Sequence, residues 1–158
     1  MGAAYFYHLT RNPLDVTLAT LVEKSLGAGW RVEVRGRSLQ TLQRLDASLW
    51  QREGFLPHGV AGGEYDAEQP VLLTTATGGN GAQCLMSIEG AEVSTEDIAA
   101  AQRVCILFDG HDGEAVAHAR TQWKSLTDAG CAAQYWSEES GRWEKKADTD
   151  DKKKASES

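Results

Sequence analysis

The 158-residue chain is poor in cysteine (three), proline (three) and histidine (four), and each shortage removes a class of explanation. Cys84, Cys105 and Cys131 are odd in number, show no C-x-x-C spacing and lie in apolar runs. That pattern excludes a disulfide framework and a zinc ribbon, and it reads as buried thiols of a reducing compartment. His8, His58, His111 and His118 are scattered along the chain, so no metal site and no metal cofactor is expected. No stretch approaches the ~20 apolar residues that span a bilayer. The opening MGAAYFYHLT lacks the basic and apolar regions of a secretory signal. The expectation is a cytoplasmic protein without membrane contact.

Nucleotide and hydrolase signatures are missing as well. G-x-x-x-x-G-K-S/T and G-x-S-x-G do not occur, and the segment TRNPLD that follows the first expected strand has no glycine. A cysteine nucleophile needs an exposed, electropositive setting that none of the three cysteines has. No catalytic residue is therefore assigned, and no organic cofactor is expected.

Positive charge is scarce in the body of the chain. The formal net charge is −7, with 18 acidic and 11 basic side chains in residues 1–143 and five of each in residues 144–158. Counterion release on phosphates needs clustered Lys and Arg, so direct sequence-independent binding to single-stranded DNA conflicts with this balance and any DNA role is expected to be indirect.

What is present is an alternation of strand and helix patterns. AYFYHL (4–9) reads as a strand; Asn12-Pro13 offers an N-cap and a first-turn proline for a helix over about 13–27, stopped by Gly27 and Gly29. WRVEVRG (30–36) alternates at strand period, and Ser38 caps a helix through Leu39, Leu42, Leu45 and Leu49. The stretch 51–70 is a long irregular connection of the kind that carries function. PVLLTTA (70–76) and AQCLMSIE (82–89), joined by TGGNG, read as an antiparallel hairpin.

Ser94 or Thr95 opens a short helix, RVCILFD (103–109) suits a central strand, Asp112 caps a helix reaching about Asp128, and AAQYWSE (132–138) reads as a last strand. Beyond Trp143 no hydrophobic residue larger than Ala remains, so 144–158 is expected to be a disordered tail on a single domain, 1–143. The fold class is α/β: a three-layer α/β/α sandwich with a mixed, mostly parallel sheet, Rossmann-like but without a nucleotide-binding loop.

Three constellations bear on function. DGHDGE (109–114) superficially suggests calcium but misses the required spacing, and helix capping accounts for it better. Leu45-Asp46-Ala47-Ser48-Leu49-Trp50, followed by Phe55-Leu56-Pro57-His58, straddles a helix end and a loop. Ordinary packing and an aromatic interface anchor are both open readings there. On the last helix Arg120 and Lys124 stand at i,i+4 with Trp123 beside them, an anion clamp by one reading. By the other, Trp123 belongs to a core stripe with Val116, Ala119 and Leu126, and the two cations only solvate its flank.

L-D-x-x-L-W, a short gap and F-x-P-H running into GVAGG (59–63) resemble the signature segment of the chi subunit family of the DNA polymerase III holoenzyme. FYHL (6–9), WRVEV (30–34) and ARTQWKSLTDAG (119–130) extend the resemblance over about residues 4–143. It implies a non-catalytic accessory subunit of the clamp-loader complex, acting in DNA replication by protein–protein interaction. Its implied partners are the acidic C-terminal tail of single-stranded-DNA-binding protein and a psi subunit or other clamp-loader component. Arg120, Trp123 and Lys124 match the family's tail-binding positions, whereas Val116 stands where the family has a further basic residue. Trp50, Phe55, Pro57 and His58 would face the partner subunit. The rival reading is a small α/β enzyme or nucleotide-binding protein with its site in the 51–65 loop, near His58 and Glu64.

Overall fold

A computed structural model describes residues 2–51, 58–62, 66–75 and 80–149. The chain runs β1 (Ala3–Leu9), α1 (Leu14–Gly27), β2 (Val32–Arg35), α2 (Leu39–Trp50), β3 (Gly59–Val60), β4 (Val71–Thr74) and β5 (Cys84–Ser87). It continues with α3 (Thr95–Ala100), β6 (Arg103–Asp109), α4 (Gly113–Asp128), β7 (Ala133–Ser137) and β8 (Glu144–Asp148). The strands form one sheet in the order β3-β4-β2-β5-β6-β1-β7-β8. Every pairing is parallel except β7–β8.

Alternation along the strands assigns each side chain to one of two cores. Leu9, Val32, Val34, Met86 and Leu107 pack with Leu18 and Val22 of α1 and Leu42, Leu45 and Leu49 of α2. Phe6, Leu85, Val104, Ile106 and Phe108 pack on the opposite face with Ile98 of α3 and Ala119 and Leu126 of α4. The result is the expected α/β/α sandwich with helices on both faces of a mostly parallel sheet.

The helix starts follow the capping residues. Ser38 accepts the Thr41 amide, Ser94 forms a capping box with Asp97, and Asp112 accepts the amides of Glu114 and Ala115. At α1 the expected Asn12 cap is replaced. The N-cap position falls on Pro13, which makes no side-chain cap bond, because Asn12 is engaged elsewhere, as described below. Leu39, expected on the buried stripe of α2, is 53% exposed at the helix's first position.

The expected hairpin over 70–89 does not form. β4 and β5 both lie parallel to β2, one on each side of it. All four residues of each strand are buried, the signature of strands covered on both faces. The link between them, of which 76–79 lie outside the described residues, joins strands two spacings or ~10 Å apart. Asn80 ties its return by donating Nδ2 to the carbonyls of Val32 (3.0 Å) and Gln69 (2.9 Å). The antiparallel element is instead β8, over Glu144–Asp148, which takes the opening of the segment expected to be tail. Five charged or small residues can form this strand because it is an edge: its lysines point to solvent while its backbone pairs with β7.

The alternation in β2 has a different outcome from a half-wet strand. Glu33 and Arg35 are each only 8% exposed and lie under α3. Arg35 Nε is 2.8 Å from Glu33 Oε2, and Arg35 Nη1 is 2.8 Å from Asp97 Oδ2. The charged side of β2 is thus buried as an ion-paired network.

Candidate functional site

In a parallel α/β sheet, the crevice lies beyond the carboxyl ends of the strands, where neighbouring strands send their connections to opposite faces. Here those strands are β1 and β6: α1 follows β1 onto one face and α4 follows β6 onto the other. A cleft of about 890 Å³ occupies that position, lined in part by Arg11, Arg37, Arg44, Phe108, His111 and His118.

The backbone amides that would cradle a phosphate in such a fold are taken by the protein itself. Glu138, 3% exposed, follows β7 and turns its carboxylate into the β1–α1 loop. Its Oε1 accepts the amides of Thr10 (3.0 Å), Arg11 (2.8 Å) and Asn12 (2.9 Å), and its Oε2 accepts Asn12 Nδ2 (3.0 Å). Burial alone would raise this carboxyl; the amides of Asn12, Arg11 and Thr10 with the Asn12 side chain outweigh it and hold the group below the usual carboxylate range. Sequence reasoning missed Glu138, since nothing local distinguishes it from the neighbouring Glu139.

The 109–114 turn is a capping structure, as expected. Asp109 Oδ1 accepts the His111 amide at 2.8 Å, and Asp112 Oδ1 accepts those of Glu114 (3.0 Å) and Ala115 (3.3 Å). Among the described residues, no group of three or more His, Cys, Asp or Glu side chains could hold a metal ion.

The four residues singled out on α4 divide by helical phase. Val116 and Trp123 are half-buried against the second core, while Arg120 and Lys124 are exposed. Trp123 meets Phe6 edge-on with ring centroids 5.3 Å apart and Tyr135 at 6.1 Å. The indole is thus part of an aromatic group that continues through Tyr135 to His8 and Phe108. Lys124 Nζ lies 3.6 Å from Asp128 Oδ2, a solvent-exposed i,i+4 pair, worth little in stability. Among the described residues Arg120 has no hydrogen bond or ion pair. It stands close enough to Tyr135 for its charge to act on the phenol: burial raises the Tyr135 pKa, Arg120 opposes that rise and Glu139 adds to it. Trp123 thus packs on the second core, as the packing reading expects, and the exposed Arg120 stands one helical turn before it. Tyr135, which completes this surface, was not recognised from the sequence.

Of the second constellation, Phe55 and Pro57 lie outside the described residues, as does Glu64, and Trp50 is described only as the last residue of α2. His58 is 5% exposed, with Nε2 3.1 Å from Asp46 Oδ1 and 3.2 Å from the Asp46 carbonyl. This contact ties His58 to α2.

Fold and site together define a Rossmann-like α/β domain whose phosphate cradle is filled by its own carboxylate and whose exposed chemistry is a cationic and aromatic helix face. The chain belongs to the family described as DNA polymerase III chi subunit, HolC, whose model matches residues 1–134. It is accordingly an accessory, non-catalytic subunit of the DNA polymerase III holoenzyme, with its place in DNA replication. The match ends within β7, so Glu138 and β8 lie beyond it. The comparison with individual curated proteins produced no match. None of the described helices is long and apolar enough to cross a membrane.

Proposed function

We propose that this subunit binds the acidic C-terminal tail of single-stranded-DNA-binding protein on the α4 face formed by Arg120, Trp123 and Lys124, with Val116 at its edge. The observation that carries the reading is Arg120, exposed and without a partner among the described residues, set beside the half-buried Trp123 and Tyr135 rings. A peptide ending in aspartates, an apolar side chain and a free carboxylate needs cations for its charges and an apolar surface for its last residue. In an acidic body, one cationic spot also steers such a peptide to itself. The missing cation at Val116 lowers the expected affinity.

In this reading the segment that carries Trp50, Phe55, Pro57 and His58 meets a psi-like or other clamp-loader component, so that DNA is reached only through partners, in the cytoplasm. The folded part is a single domain in this reading.

The test is fluorescence anisotropy with a labelled tail peptide, compared with the same peptide lacking its terminal phenylalanine. Micromolar binding that needs this phenylalanine, weakens with salt and is abolished by Arg120→Ala is expected. Unchanged affinity in a folded Arg120→Ala protein would remove the site assignment. A rival reading, catalysis or nucleotide binding near His58, is disfavoured by the burial of His58 against Asp46.

A further inference from the structure

We propose that Arg11, on the β1–α1 loop, is a second cation of the tail-binding surface, held in place for that role by Glu138; this rests on the Arg120 reading above. A series of contacts runs from α4 to that loop. Trp123 packs on Tyr135, and the Tyr135 hydroxyl lies 3.3 Å from His8 Nδ1. Arg120 and Glu139 both act on the Tyr135 phenol. Arg11 then clasps the Glu139 carbonyl through Nη2 (2.8 Å) and Nε (3.3 Å). Beside this clasp is a second cavity of about 510 Å³, lined by Thr10, Arg11, Gly110, His111 and Glu139.

The clasp leaves Arg11 Nη1 without a hydrogen bond among the described residues. The guanidinium is therefore oriented in advance by a carbonyl rather than by a carboxylate. Orientation before binding reduces the side-chain entropy lost on capture of an anion. The loop beneath it is fixed by the three amide donations to Glu138, which makes Glu138 a positioning residue for Arg11. On the other side of the cavity His111 Nε2 lies 2.7 Å from the Thr10 carbonyl, so that the imidazole is part of the wall.

The occupant that fits is the upstream acidic part of the same peptide. With its apolar end against Trp123 and its carboxylates at Arg120, an extended chain advancing ~3.3 Å per residue brings earlier aspartates to the Arg11 corner. Glu139 supplies the opposing charge there and limits how much the corner attracts an acidic segment.

The experiment uses the full chain and a labelled peptide that carries an aspartate pair near its terminal phenylalanine and further aspartates upstream. Arg11→Ala is expected to weaken binding about tenfold, the loss of one charge-assisted contact, and to flatten the salt dependence. Arg11→Lys should recover part of the affinity and Glu139→Gln should tighten binding. Changing the upstream aspartates to asparagine should weaken the wild-type protein equally and add nothing to Arg11→Ala, a coupling that loss of stability alone does not produce. The peptide change needs no protein variant, so the question stays open to test even if Arg11→Ala folds poorly. Wild-type affinity in Arg11→Ala, or an unaltered response to the upstream change, overturns the role of Arg11 while Arg120→Ala still tests the tail site. Absence of any binding by the folded wild type overturns both.

Discussion

The Glu138 carboxylate grips Asn12 twice, accepting its backbone amide at 2.9 Å through one oxygen and its side-chain amide at 3.0 Å through the other. The residue that in sequence looks like a helix cap is thereby used to join the first loop of the fold to the end of β7.

Glu138→Gln should destabilise the protein by about 2–3 kcal/mol, because it replaces charge-assisted bonds to three amides and turns one donor toward Asn12. The Glu138 carboxyl is held below its usual value once the amides overcome burial. Its contribution is therefore present above the unfolded value of about 4.3 and is lost as pH falls through the lower folded value. Urea unfolding at neutral and acid pH checks this: the gap between wild type and Glu138→Gln should narrow in acid.

Arg35→Ala should cost about 3 kcal/mol, since it leaves Glu33 and Asp97 facing each other without their shared cation. Burial pushes the Asp97 carboxyl up, but the Arg35 hydrogen bond and charge with the Ser94 contacts bring it below its usual value. Asp97 thus stabilises above its unfolded value of about 3.9 and loses that effect as pH falls through the folded one. Calorimetric melts of Asp97→Asn should show a lowered Tm at neutral pH and a smaller difference in acid.

Trp123→Ala should lower stability by about 2–4 kcal/mol through loss of the Phe6 and Tyr135 ring contacts. Trp123→Phe should cost less than about 1.5 kcal/mol. Arg120→Ala, at an exposed position, should shift Tm by no more than a few degrees. Thermal melts of the three variants should therefore be ordered Arg120→Ala, Trp123→Phe, Trp123→Ala from most to least stable, and Arg120 is the cleaner probe of binding.

Thiol titration should find one accessible cysteine. Cys131 is partly exposed, whereas Cys84 and Cys105 are buried in the core under α1. The neighbouring Cys84 sulfur and burial push the Cys105 thiol well above its usual value. Ellman's reagent in native buffer should modify one thiol quickly and the other two only on unfolding; rapid modification of all three would contradict this packing.

The helices were legible in the sequence because their ends are written locally. Ser38, Ser94 and Asp112 each cap the helix expected of them, and the helical phase of α4 separates exposed Arg120 and Lys124 from buried Ala119 and Leu126. β4 and β5 were legible as strands but not as partners: their apolar runs report burial, while the glycine-rich link between them suits either a hairpin or a passage across β2. β8 was not legible at all, since its residues are those of a solvated tail and only the unpaired edge of β7 makes them a strand. At the site, Glu138 and Arg11 stand 127 residues apart along the chain, beyond the reach of any local pattern.

The sequence by itself determined the order of the strands and helices other than β3 and β8, the acidic body, the segments that resemble the chi family and the exposure of the α4 cations. Only the tertiary structure decided which strands are neighbours, that Glu33 and Arg35 are buried as a pair with Asp97, and that a carboxylate from the end of β7 fills the first loop. Periodicity and capping depend on residues within a turn or two of one another. Strand neighbours and ion pairs depend on groups brought together from distant parts of the chain, so their identity is settled only when both cores close.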